Sequence, residues 1–110
     1  MSSSVLEDRD VLGEAVRRLV QALSPERIVA FGSRVRGEAR ADSDYDLLIV
    51  ADTPLPYYKR AIAAHRALRG LRAAFDLIVH TPEEWEQALR SPYSFASAIT
   101  AEGEVLYARG

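Results

Sequence analysis

Apolar residues at Leu6, Val11, Leu12, Ala15, Val16, Leu19, Val20 and Leu23 recur at steps of three and four, which lines one face of a helix and predicts one from about Asp8 to Leu23. Ser24-Pro25 ends that pattern, and the short β-rich run Ile28–Phe31 reads as a first strand. Ser33–Ala39 reads as a short helix and Asp44–Val50 as a second strand. The consecutive apolar residues Leu47–Val50 predict burial on both faces of that strand. Asp52-Thr53-Pro54-Leu55-Pro56 is a loop leading into a second long helix, Tyr57–Leu71, with Tyr58, Ile62, Leu68 and Leu71 turned inward and Gly70 as a weak point. Phe75–Val79 forms a third strand. Thr81-Pro82-Glu83-Glu84 is a capping box with proline at the first helical position, and it opens a helix that runs to about Leu89. Ser91-Pro92 then interrupts, a short helix carries Phe95 and Ile99, and Glu104–Tyr107 reads as a last edge strand.

Strands alternating with helices predict an α/β fold, a small sheet covered by helices, and 110 residues suit a single domain spanning 1–110. With 48% apolar and 27% charged residues the composition is that of an ordinary globular protein. The absence of cysteine excludes disulfides and thiolate zinc sites and fits a reducing cytoplasm. No signal-like apolar segment opens the chain, and the longest central apolar run, Leu47–Ala51, is far too short to span a membrane. The expectation is a soluble, untargeted, cytoplasmic protein. A net charge of −2 argues against duplex DNA as a partner, because general duplex binding needs broad neutralisation of phosphates.

The candidate chemistry lies in Phe-Gly-Ser-Arg-Val-Arg-Gly-Glu-Ala-Arg-Ala-Asp-Ser-Asp-Tyr-Asp-Leu-Leu-Ile-Val, residues 31–50. Alternate residues of a strand share a face, so Asp44 and Asp46 point the same way with Tyr45 opposite. Two carboxylates so placed repel one another unless a cation neutralises them. Magnesium suits them, since it takes one or two carboxylates and accepts phosphate oxygens as further ligands. Gly32 permits a tight turn and close approach of a ligand, and Ser33 offers a hydroxyl where the free N–H groups of a helix start favour anions. Two other motifs fail on particular residues. Gly32 and Gly37 are spaced as in a P-loop, but Glu38-Ala39 replaces the Lys-Ser/Thr that would reach phosphate and metal. Asp42, Asp44 and Asp46 imitate an EF-hand, yet Leu47 stands where that loop needs glycine and Thr53 where it needs glutamate. The plainer alternative is a Ser43-Asp44 turn with solvated acids.

Gly32-Ser33, ten intervening residues and Asp44-Tyr45-Asp46 together resemble the signature of the DNA polymerase β-like nucleotidyltransferase superfamily, and the surrounding residues resemble its smallest branch, the minimal nucleotidyltransferases. That resemblance implies a mixed rather than fully parallel sheet. It also implies a third carboxylate on a neighbouring strand, a role that falls on Asp76 at the head of the third strand. Asp44, Asp46 and Asp76 are then the catalytic and metal-binding set, with Asp76 orienting or deprotonating the attacking hydroxyl. Gly32 and Ser33 would hold the nucleotide phosphates. Arg34 and Arg36 would either neutralise triphosphate charge or pair with Glu38 or Asp42.

The implied reaction is magnesium-dependent nucleotidyl transfer, AMP from ATP, to a hydroxyl. The branch is commonly the antitoxin half of a two-gene pair with an all-helical HEPN toxin, and some members modify a tyrosine of that toxin. Two alternatives stay open: a non-catalytic module that silences a partner by covering it, and a stand-alone enzyme acting on a small molecule or an RNA end. Other conspicuous residues have simpler readings. His65 and His80 lack a second ligand at metal spacing, Trp85 reads as core or partner contact, and Arg66, Arg69 and Arg72 form a basic stripe that is either a solvated face or a partner surface.

Overall fold

A computed structural model describes residues 4–38 and 43–109, with side chains from residue 10 onward. The elements, in chain order, are α1 (Ser4–Leu23), β1 (Arg27–Phe31), α2 (Ser33–Arg36), β2 (Tyr45–Val50), α3 (Tyr57–Ala67), β3 (Phe75–His80), α4 (Pro82–Leu89), α5 (Phe95–Glu102) and β4 (Glu104–Ala108). The four strands form one mixed sheet in the order β3-β2-β1-β4. β1 is antiparallel to both β2 and β4, while β2 and β3 run parallel.

Each face of the sheet carries its own core. Ile28, Ala30, Leu47, Ile49, Leu77 and Val79 pack with Ala15 and Leu19 of α1 and Ala64 of α3. Val29, Leu48 and Val50 pack on the other face with Trp85 of α4 and Ala96 and Ile99 of α5. Leu47, Leu48, Ile49 and Val50 are therefore all buried, two on each side, as an uninterrupted apolar run in a central strand requires. The last strand, β4, lies at the sheet edge with a register irregularity opposite Ile28 and Val29.

Several boundaries move for local reasons. α2 stops at Arg36, since Gly37 takes a left-handed conformation (φ 77°, ψ 17°) and caps the turn, and the predicted end at Ala39 lies outside the described residues. α3 stops at Ala67 rather than Leu71, four residues before the predicted end, with Gly70 in a positive-φ turn beyond it. The inward face of α3 is also different from the expected one. Leu68 is buried, but Tyr58 is 71% and Ile62 52% exposed, and the helix buries Arg60 and Ala64 instead. Hydrophobicity favours the opposite rotation of that helix. The reason lies in Arg60, whose stem packs inward while its head finds partners outside the helix: Nε donates to the Leu55 carbonyl at 2.9 Å and Nη1 to Glu84 at 2.5 Å.

Glu84 is the hub of that corner. The predicted capping box is present, with the Thr81 hydroxyl accepting from the Glu84 N–H and the Glu84 carboxylate accepting from the Thr81 N–H. The same carboxylate neutralises Arg60. The Arg60 hydrogen bond first, and the Thr81 backbone second, hold the Glu84 carboxyl below the usual carboxylate range. A group whose folded value is depressed stabilises above its unfolded value and loses that contribution as pH falls through the folded one. Glu84→Gln is accordingly expected to lower stability by about 1–2 kcal/mol at neutral pH. That is less than for a fully buried pair, because 40% of the Glu84 side chain is open to solvent. The deficit should shrink as urea midpoints are measured at progressively more acidic pH; a constant deficit would remove the ionic explanation.

Candidate functional site

At the end of β1 the chain must turn without a side chain in the way. Gly32 adopts φ 83° and ψ −159°, a conformation essentially confined to glycine. A Cβ at this position would overlap Oδ2 of Asp46 and lie 2.9 Å from its Cγ, so the bare α-carbon of Gly32 is the surface on which the Asp46 carboxylate rests. Ser33 then starts α2, a single turn in which Arg36 N donates to Gly32 O at 3.1 Å and Glu38 N to Ser33 O at 2.9 Å.

Asp46 is the second residue of β2, in register with Phe31 of β1 on one side and with Asp76 of β3 on the other. Asp44 precedes the strand, solvent-exposed and within electrostatic reach of Asp46. Tyr45 is buried, its ring stacked on Phe75 with centroids 5.5 Å apart. Burial first, then the charges of Asp76 and Asp44 and a hydrogen-bonding contact with Asp76, push the Asp46 carboxyl above its ordinary range; Arg36 pulls the other way. Carboxylates from two parallel strands are thus crowded beside the glycine-serine corner.

The two arginines are engaged with protein groups. Arg34 donates to the Ser43 carbonyl from Nε at 3.0 Å and Nη2 at 2.8 Å, and its guanidinium lies 4.0 Å over the Tyr45 ring. It ties α2 to the entry of β2. Arg36 pairs with Glu38 at 2.8 Å and approaches Glu102 of α5 at 3.9 Å, and these carboxylates hold its guanidinium protonated. Arg40 and Asp42 lie outside the described residues. Glu102 and the Ser43 carbonyl were not legible as participants, because only the fold brings them to the arginines.

The histidines are elsewhere. His80 closes β3 at the opposite end from Asp76, against Trp85 and Tyr57, with its Nδ1 buried and 3.9 Å from Glu84; burial lowers its pKa. Two clefts are also at that far end: one of about 350 Å³ beside Val50, Trp85 and Arg109, and one of about 320 Å³ beside Asp52, Leu55 and Arg60. Neither is lined by the crowded acids. Glu26 and Glu86 line the first and Asp52 the second, whereas the Asp46 carboxyl is crowded by Asp76 and Asp44 beside the glycine-serine turn.

Among the described residues no three His, Cys, Asp or Glu side chains are gathered into a ready-made metal cage. The donor set nevertheless suits a hard divalent cation that brings its own ligands. Asp46 carries the strain of two like-charged neighbours and rests in a cradle that a Cβ would fill. Magnesium commonly takes only one or two protein carboxylates and completes its shell with water and substrate phosphates. Among the described residues no helix is long and apolar enough to cross a membrane.

The model of the nucleotidyltransferase domain family matches residues 11–99. An inferred protein adenylyltransferase, MntA of Haemophilus influenzae, is 46% identical over 46 residues, 41% of this chain and 40% of that protein, so the chain spans less than half of this relative. An inferred protein adenylyltransferase of Methanocaldococcus jannaschii is 29% identical over 100 residues, 86% of this chain and 96% of that protein. Among solved structures, an inferred nucleotidyltransferase from Sulfolobus solfataricus superposes with a TM-score of 0.66 at 22% identity, covering 99% of this chain and 91% of the other. A toxin-antitoxin crystal structure with AMP-PNP superposes with a TM-score of 0.62 at 22% identity, covering 88% of this chain and 73% of the other. At that identity the two structural likenesses concern the fold.

Proposed function

The chain belongs to the nucleotidyltransferase domain family, and from that premise we propose that it transfers AMP from ATP to a tyrosine hydroxyl of a HEPN-type toxin partner, acting as an antitoxin. The observation that carries this reading is the register of Asp46 with Asp76, beside Asp44 and against Gly32. The two relatives named as protein adenylyltransferases and the toxin-antitoxin neighbour support it.

In this reading Asp44 and Asp46 would hold magnesium, with water and triphosphate oxygens completing its shell, and Asp76 would stand beside them. The cation supplies charge neutralisation on the triphosphate and on the leaving pyrophosphate. Gly32 lets the Asp46 carboxylate close against the turn, and the Gly32-Ser33 backbone and the Ser33 hydroxyl would orient the phosphate oxygens beside it. The acceptor oxygen attacks the α-phosphorus, the bond from the α-phosphorus to the bridging oxygen of the β-phosphate breaks, and pyrophosphate departs in line with the attack. Asp76, exposed at the rim beside Asp46, receives the hydroxyl proton. Arg34 acts indirectly by fixing the Ser43 carbonyl and hence the start of β2. Arg36 tempers the negative charge around Asp46.

A protein acceptor needs a surface. The side of α3 that carries Tyr57, Tyr58 and Ile62 is open, and Lys59 and Arg66 lie on the same helix, which suits a partner with apolar and acidic groups. The same surface would serve the alternative of an antitoxin that neutralises by covering.

Incubation with ATP labelled at the α-phosphate, magnesium and the product of the neighbouring gene decides among these. The expected outcome is label on a partner tyrosine, lost when magnesium is chelated. Inhibition of the partner at one-to-one stoichiometry without any label would replace the enzymatic reading with the covering one. Label only on an added RNA or small molecule would replace the acceptor.

A further inference from the structure

Beside the crowded carboxylates is an aromatic surface that phosphate and metal chemistry leaves unused. Phe31 ends β1 directly before Gly32 and is in register with Asp46, so both side chains project from the same face of the sheet. The Phe31 ring meets that of Phe95 at a centroid distance of 5.5 Å and an interplanar angle of 86°. Phe95 is the first residue of α5 and is held in place from below. The Ser94 hydroxyl caps the helix by accepting from the Ser97 N–H at 3.0 Å, and the Ser97 hydroxyl donates to the Ser91 carbonyl at 2.7 Å. Phe95 is nonetheless 58% exposed.

A positioned phenylalanine that keeps most of its ring in water forgoes much of the gain from burial. It stands one ring away from the residue that precedes the phosphate-binding turn. We propose that Phe95, braced by the edge-on contact with Phe31, is the stacking platform for the base of the bound nucleoside triphosphate. This deepens the transfer reading and rests on it. A phenyl ring has no donor or acceptor with which to read base edges, and every base has a π-face, so the platform favours the larger purine surface without separating adenine from guanine. The selectivity is for a class of base.

Calorimetric titration with Mg·ATP and, separately, with magnesium tripolyphosphate isolates the base from the phosphates. Phe95→Leu keeps apolar bulk against Phe31 but removes the flat ring. It is expected to weaken Mg·ATP by about tenfold while changing tripolyphosphate affinity less than about twofold. Phe95→Trp should retain or tighten Mg·ATP binding. Unchanged ATP affinity in Phe95→Leu, or an equal fall for both ligands, overturns the platform while leaving the transfer reading in place. Failure of the unsubstituted chain to bind either ligand overturns the transfer reading, and the platform with it.

Discussion

Asp46→Asn is expected to lower nucleotidyl transfer about 1,000-fold, the equivalent of several kcal/mol of lost charge stabilisation, while the protein stays folded. The same substitution should raise the melting temperature in magnesium-free buffer at neutral pH. Asp46 is pushed above its ordinary range by burial and by the charges of Asp76 and Asp44, so its ionised form is a cost to the folded state. That cost is present above the raised folded value and disappears as pH falls through it toward the unfolded value, because the folded protein takes up the proton first. An uncharged amide removes the penalty at every pH, and the stability advantage of the variant should therefore fade on acidification. Magnesium should reverse the order, stabilising the unsubstituted chain by mass action and the variant little or not at all. Retention of activity within about tenfold would remove Asp46 from the centre of the chemistry. A fall in melting temperature without magnesium would show that the carboxylate is compensated in a way its neighbours do not suggest.

Gly32→Ala should damage both stability and activity. The backbone conformation at Gly32 costs an L-residue about 1–3 kcal/mol by itself. The new methyl would also occupy the space held by the Asp46 carboxylate. A total loss near 3 kcal/mol in denaturant titrations is expected. Transfer should fall about 100-fold, since a displacement on the order of 1 Å in a positioned group is enough for that. Pairing the change with Asp46→Gly tests the contact directly. Removing the carboxylate should return part of the lost stability, leaving the backbone cost, so that the double variant is more stable than the sum of the single changes predicts. Strict additivity would mean that the two residues do not press on one another. An alanine variant as stable and active as the original would dispose of the cradle altogether.

The predictions depend on features of very different legibility. Thr81-Pro82-Glu83-Glu84 could be read as a helix start because capping is an interaction among residues three apart, and the hydrogen bonds are those expected. The burial of Leu47–Val50 could be read because an unbroken apolar run in a strand demands cover on both sides. The rotation of α3 could not. Tyr58 and Ile62 have the better claim to the interior by hydrophobicity, and they lost it to Ala64 and to an arginine whose partners, the Leu55 carbonyl and Glu84, come from outside the helix. Arg34 and Arg36 illustrate the same limit. Their type suits phosphate, but whether a guanidinium is committed depends on what stands within its reach. Here that includes Ser43 and Glu102, the latter more than sixty residues along the chain from Arg36.

From residue types and spacing alone came the order of helices and strands, the glycine-serine corner and the acids at the heads of two strands, because each of these is written in periods of two to four residues or in local turn chemistry. Tertiary structure alone settled that β3 lies parallel beside β2 with Asp76 opposite Asp46, that the Asp46 carboxylate rests on Gly32, and that Phe95 stands against Phe31. Those are contacts between segments distant in the chain, set by how strands pair and helices pack, and no local pattern encodes which distant residue will fill a given space.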